Sequence, residues 1–318
     1  MSASEPPLLV GVVGAGVFGG HHASKYAADP DAQLIGVYDP STSAAEALAA
    51  RVGGSAFPSA AALFDAVDAV TIAAPASTHF ELTRAALAAG CAALVEKPLA
   101  LRAEQAEALA REAAEKGLAL QVGHQERYVA AASGVLPATP LAAQGKGPIR
   151  LTFQRSSAPS DRGRDVSVVF DLMVHDLDLL GRFTAGRLSA VSAQREEGAD
   201  RVSAELAFED GVTAALTAAR APGAPARAME ILYPGGTARL DFQTRRVAVD
   251  GAPPPWAVGA LGVLDETSQA ATDPLGYAVS SFVKSVRTGA QIVVSGEDGA
   301  RAVALAERIE SAATANVA

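Results

Sequence analysis

The sequence predicts an α/β protein in two parts: a doubly wound parallel sheet, followed by an α+β domain with a large, open, mainly antiparallel sheet. Three observations carry that expectation. The first 123 residues alternate short apolar runs with alanine-rich helical stretches, the rhythm of parallel strands joined by crossover helices. From about Gly147 the pattern changes to alternating strands separated by turn signals. The length of 318 residues is about twice that of an ordinary domain. Residues 1–123 and 124–318 are therefore expected to form one domain each.

Leu8–Val13 is a continuous apolar run, as in a strand buried on both faces. It leads into Gly14-Ala15-Gly16-Val17-Phe18-Gly19, after which helical spacing takes over. Gln33–Tyr38 is the second strand and ends in Asp39. Ser43 and Glu46 form a capping-box pattern that opens a helix stopping before Gly53-Gly54. Ala69–Ala73 reads as a strand, and His79–Ala89 as a helix capped by Thr78 with Glu81 and ended by Gly90. Ala93–Val95 is the next strand, Arg102–Lys116 a helix and Leu118–Gly123 the last strand of the series.

In the second half, Val202, Ala204, Leu206 and Phe208 alternate with Ser203, Glu205, Ala207 and Glu209, giving one apolar face. Asp210-Gly211 joins this strand to Val212–Ala218, and Gly235-Gly236 separates Met229–Tyr233 from Ala238–Phe242. Pro137–Pro148 and Gly251–Pro255 are expected to be surface loops. Tyr277–Arg287 and Glu297–Ala313 read as closing helices, the second capped by Ser295 with Asp298. The outer face of the open sheet is expected to leave apolar surface in water, which a homodimer or homotetramer would cover.

Composition excludes several classes. Hydrophobic residues make up 49% and aromatics only 5%, which suits packed small-residue helices and not a disordered chain. A net charge of -9 disfavours nucleic acid as a partner. The single cysteine, Cys91, can form no intramolecular disulfide and belongs to no metal-binding cluster, so a reducing compartment, the cytoplasm, is expected. The N-terminus lacks the basic segment of a secretory signal. The longest weakly polar run, Leu8–Gly19, is shorter than the roughly 20 residues that cross a bilayer, so no membrane partner is expected.

Glycines fall at G-x-G-x-x-G spacing by chance in many chains, and such a turn can bind nothing. Here the motif follows a strand and opens a helix, and Asp39 ends the next strand. Gly14 would make the tight turn, Gly16 would let backbone approach a pyrophosphate, and Gly19 would let helix meet strand. The helix amides would hold the phosphates, as in a Rossmann domain. Asp39 would accept the ribose hydroxyls and repel a 2′-phosphate, which favours NAD over NADP, with Ser41 and Thr42 nearby.

Two further stretches carry chemistry. Val166–Leu180 is apolar on most sides yet holds Asp171, His175, Asp176 and Asp178, whose burial needs compensation. On a regular helix Asp171, His175 and Asp178 share a face, and a histidine beside a carboxylate is a tunable proton acceptor. Mutual satisfaction of Asp and His, or a divalent metal, are the alternatives. Arg155, Arg162 and Arg164 flank this segment and could meet a diphosphate or pair with Asp161 and Asp165. Glu96-Lys97-Pro98 follows a strand directly, at the carboxyl edge where open α/β sheets bind ligands, so Lys97 could reach a nicotinamide. His21, His22 and His79 are read from the residues alone as structural.

Together, Gly14–Gly19, Pro75–His79, Glu96-Lys97-Pro98 and Asp171–Asp178 resemble, in this order and over nearly the whole chain, the glucose-fructose oxidoreductase, inositol dehydrogenase and rhizopine catabolism (Gfo/Idh/MocA) family. The resemblance implies NAD(P)-dependent oxidation or reduction of sugars, sugar nucleotides or cyclitols. It implies that Lys97 hydrogen-bonds the reacting hydroxyl, that Asp171 orients or shares a proton with the catalytic group, and that His175 is the acid/base. Val17, Phe18, Pro75, His79 and Glu96 would join Gly14, Gly16, Gly19 and Asp39 along the cofactor, and no metal is implied. Val122–Tyr128 is similar to the family's segment between domains. Asp171–Asp176 is similar to the subgroup containing UDP-N-acetylglucosamine 3-dehydrogenase, although Met173 stands where many members have glycine, and Val129-Ala130 where Asn-Pro is common. A non-catalytic NAD-sensing regulator, or a dihydrodiol or small-carbonyl oxidoreductase, are other uses of the same fold.

Overall fold

The structure, a computed structural model, describes residues 6–137, 149–159, 166–196, 200–223, 225–257 and 268–315. Most of the Pro137–Pro148 loop, together with Asp161, Arg162, Arg164 and Asp165, lies outside them. In chain order the first part comprises β1 (Leu8–Val13), α1 (Val17–Ala28), β2 (Ala32–Tyr38), α2 (Thr42–Val52), β3 (Ser55–Ala56) and α3 (Ala60–Phe64). It continues with β4 (Ala69–Ile72), α4 (His79–Ala88), β5 (Ala92–Val95), α5 (Ala103–Lys116) and β6 (Leu120–Val122). The six strands form one parallel sheet in the order β3-β2-β1-β4-β5-β6. That is the doubly wound order, with the direction of winding reversing between β1 and β4.

The apolar runs sit where their composition requires. β4 and β5 are buried throughout, as strands covered by helices on both faces must be. Two caps differ from expectation. Ser41, not Ser43, caps α2, its hydroxyl accepting from the Ala44 amide. Thr78 makes no cap to α4; its hydroxyl donates to the Pro75 carbonyl at 2.8 Å, because a single 3-10 turn over Ala76–Thr78 precedes the helix.

The second part begins with α6 (Gln125–Ala132) and β7 (Arg150–Ser157), then a π-helical turn over Val169–Met173 running into α7 (Val174–Leu180). Six strands follow: β8 (Leu188–Arg195), β9 (Asp200–Phe208), β10 (Thr213–Arg220), β11 (Ala226–Tyr233), β12 (Gly236–Asp241) and β13 (Arg246–Gly251). Three helices close the chain, α8 (Gln269–Thr272), α9 (Pro274–Thr288) and α10 (Gly296–Ala315). The seven-stranded sheet runs β13-β12-β11-β7-β10-β9-β8, antiparallel except for the β7–β10 pair. Both expected hairpins are present. In β9 the buried residues are Val202, Ala204, Leu206 and Phe208, the alternation of a sheet with one face on a core.

The chain divides into two compact units, and the division is not a single cut. The first unit takes residues up to Gly123 together with Leu275–Ala300, and the second takes His124–Pro274 and the residues from Arg301 onward. Residues 275–300 thus belong with the parallel sheet, where a division at 123/124 alone assigns them to the second domain. The reason is apolar burial: Val279, Phe282 and Val283 of α9 share one core with Leu8, Val10, Val12, Tyr26 and Leu94. Gln121 of β6 reinforces it, its side-chain amide donating to the Ala278 carbonyl at 2.9 Å.

Candidate functional site

In the first unit the glycine loop joins β1 to α1. Gly14 has φ 101°, and a Cβ there would overlap the Ala73 carbonyl oxygen, so only glycine makes this turn. A Cβ on Gly19 would overlap the Gly14 carbonyl oxygen, which sets the close approach of helix to loop. Gly16 is different, for a Cβ there would meet nothing within 4 Å. Helix α1 has no side-chain cap at Gly16 and no acidic residue in its first turn. Its first amides therefore point into open space at the positive end of the helix, a setting that fits a pyrophosphate. Val17 and Phe18 stand beside it, 49% and 45% exposed.

Asp39 ends β2 half-buried and ties the loop together. One carboxylate oxygen accepts the Ala15 amide at 2.8 Å and the other the Ser41 amide at 2.8 Å. An ionised carboxylate has about four lone-pair sites, so both oxygens can still accept ribose hydroxyls.

Glu96 and Lys97 follow the carboxyl end of β5. Glu96 is buried, with Oε1 2.7 Å from Nε2 of His22 on α1. Burial works to raise its pKa, but the hydrogen bond and charge of His22, with Lys97 and His79, outweigh burial and hold the carboxyl below the usual range. His79, 1% exposed, places Nδ1 2.7 Å from the Pro98 carbonyl oxygen and Nε2 2.9 Å from that of Ala74. It thereby bridges the loops after β4 and β5. Burial lowers its pKa against the pull of those carbonyls and of Glu96.

In the second unit the Asp171–Asp178 stretch departs from a regular helix. The π turn over Val169–Met173 breaks the 3.6-residue period on which a shared face of Asp171 and Asp178 depends. Each aspartate finds its own cation. Asp171 pairs with Arg220 at the end of β10 at 2.9 Å; that arginine also binds Asp200 at 2.8 Å and the Val166 carbonyl at 3.1 Å. Asp176 pairs with Arg155 at 2.7 Å, and Arg155 also reaches Glu126 at 2.9 Å. Asp178 receives Nε of Arg127 at 2.9 Å and a second bond from Nη2. Arg155 is 3% exposed, so it belongs to this network and is not available to a diphosphate. The His175 ring meets His124 edge to face, with centroids 5.5 Å apart.

Sequence reading singled out the glycine loop, Asp39, Lys97, Asp171 and His175 as candidates. It missed Arg220 and Arg127 as partners of the aspartates and His22 as the partner of Glu96. An apolar stretch with four ionisable groups announces that partners exist, but the strand pairing that delivers Arg220 leaves no local signal. His22, one turn beyond Gly19, carried a weak one: a polar residue on the face that must pack against the sheet.

Comparison with known proteins agrees with this geometry. Residues 8–124 match the family model described as oxidoreductase family, NAD-binding Rossmann fold. The chain is 35% identical over 316 residues to a UDP-N-acetylglucosamine 3-dehydrogenase of Acidithiobacillus ferrooxidans, covering 97% of this chain and 98% of that one. An inositol 2-dehydrogenase of Rhizobium meliloti is 28% identical over 93% of this chain and 94% of its own. A solved structure of the Acidithiobacillus ferrooxidans enzyme superposes with a TM-score of 0.83 at 32% identity, covering 98% of this chain and 99% of that one. The chain belongs to the Gfo/Idh/MocA family and is an NAD-dependent oxidoreductase acting on CH–OH groups.

Proposed function

We propose that the chain oxidises a secondary hydroxyl of a sugar nucleotide of the UDP-N-acetylglucosamine kind, with free sugars and cyclitols as the alternative substrates. The observation that carries this reading is the near full-length similarity to a UDP-N-acetylglucosamine 3-dehydrogenase, with the Lys97 and Asp171–His175 motifs in place. NAD is preferred to NADP because the carboxylate of Asp39 would oppose a 2′-phosphate.

NAD, when bound, supplies the hydride acceptor. The α1 amides beyond Gly16 would hold its pyrophosphate, Asp39 its ribose, and Val17, Phe18, Pro75, His79 and Glu96 would shape or support the site. Lys97 hydrogen-bonds the substrate hydroxyl and favours the alkoxide that develops as the hydride leaves. His175 takes the hydroxyl proton as general base. Asp171, paired with Arg220 at 2.9 Å, would orient or share a proton with the catalytic group. No metal enters the scheme.

The chain works as a homodimer or homotetramer in this reading, and its single, buried thiol suits the cytoplasm. Among the described residues no helix is long and apolar enough to cross a membrane.

The test is NADH formation over UDP-N-acetylglucosamine, free hexoses and inositols, with NADH binding followed by fluorescence. Lys97→Met and His175→Ala should lose at least a hundredfold in kcat while NADH affinity stays within threefold. Turnover surviving both changes would end this mechanism. NADH binding without turnover on any compound would favour a sensing role instead.

A further inference from the structure

A carboxylate removed from water stays ionised only if donors or cations replace the water. Glu96 is 7% exposed and immediately precedes Lys97, so whatever fixes Glu96 also fixes the backbone that presents the lysine. His22 does this from α1. Its Nε2 lies 2.7 Å from Oε1, and its buried Nδ1 has no hydrogen-bond partner among the described residues. A carboxylate only accepts, so the proton of this hydrogen bond sits on Nε2 of His22.

Two neighbours prevent Glu96 from turning away. Gly123 lies against it so closely that a Cβ there would come 3.0 Å from Oε1. His79 pins the next residue but one, binding the Pro98 carbonyl at 2.7 Å. The charge of the neighbouring Lys97 helps keep Glu96 ionised. The helix that carries His22 is the one whose first amides fit the pyrophosphate.

We propose that His22 is a positioning residue for Lys97, acting through Glu96 and linking the dinucleotide-binding helix to the lysine. The inference rests on the reading of Lys97 as the group that meets the reacting hydroxyl. His22 itself touches neither substrate nor cofactor.

The experiment compares His22→Leu, His22→Gln, Glu96→Gln and the His22→Leu/Glu96→Gln double variant. Readouts are kcat and KM on a substrate that the wild type oxidises, NADH affinity, and the rate at which trinitrobenzenesulfonate labels Lys97, followed by peptide mass. Lys25, Lys116 and Lys284 serve as internal references. His22→Leu should lower kcat at least tenfold with KM and NADH affinity within threefold, and should change the Lys97 labelling rate at least threefold with the references unchanged. His22→Gln, whose amide can replace the Nε2 donor, should restore both. The double variant should be no worse than Glu96→Gln alone, since both changes cut one path. Independent losses that multiply, or a His22→Leu enzyme with wild-type kcat and labelling, would overturn the proposal. If His22→Leu fails to fold, the same decision falls to His22→Gln against Glu96→Gln: the first near wild type and the second impaired supports it, and equal behaviour refutes it. A Lys97→Met enzyme with full turnover would refute the role of the lysine, whereas the labelling rates would still decide whether His22 controls it.

Discussion

Buried aspartates are tolerable only in company, and the Asp171–Asp178 stretch shows how specific that company is. Arg127 and Asp178 are 3% and 2% exposed and satisfy one another through two hydrogen bonds. Arg127→Met leaves the carboxylate without a cation and should cost about 3–5 kcal/mol in denaturant unfolding; replacing both members by apolar residues should cost less. Asp210 works near the surface. Burial opposes its charge, but the Thr184 hydroxyl and the Gly186, Val212 and Ala185 amides outweigh burial and hold its pKa low. A depressed folded-state pKa stabilises above the unfolded value of about 3.9 and loses that stabilisation as pH falls through the folded value. Asp210→Asn should therefore be less stable than wild type by about 1 kcal/mol at neutral pH, and the gap should close on acidification below the carboxylate range.

Within single elements, the glycine loop separates folding from binding. Gly19→Ala forces a Cβ onto the Gly14 carbonyl and should lower the melting temperature as well as NADH affinity. Gly16→Ala meets no protein atom, so it should fold as wild type while weakening NADH binding at least tenfold, because the methyl group projects where the phosphates must pass. This loop was legible in the sequence because its constraints are local: a strand, three glycines and one acid at fixed spacing. The hairpins at Asp210-Gly211 and Gly235-Gly236 and the capping box of α10, with both Ser295 and Asp298 bonded to each other's amides, were legible for the same reason. What stayed hidden depends on residues far apart in the chain. The central β7 pairs in parallel with β10, and Arg220 arrives beside Asp171 from 49 residues away. The π turn was hidden too, since a period of 3.6 is the assumption that it breaks.

For the molecule as a whole, the outer face of the seven-stranded sheet differs from expectation in texture. It carries Ser203, Glu205, Thr217, Thr152 and Glu230, and Leu232, 51% exposed, is its one large exposed hydrophobic among the described residues. Bare apolar area is thus a weak reason for self-association. Light scattering at micromolar concentration should report a dimer or tetramer. Leu232→Glu should shift it toward monomer, and a wild-type monomer would remove the oligomer from the proposed function.

The return of Leu275–Ala300 to the first unit also governs how the protein is made. A ribosome releases the six strands of the parallel sheet long before it releases α9, so the nascent sheet waits with the seat of Val279, Phe282 and Val283 uncovered while residues 124–274 are synthesised. During that interval the newborn chain exposes a sticky groove, and chaperone contact or delayed closure of the first unit is the natural outcome.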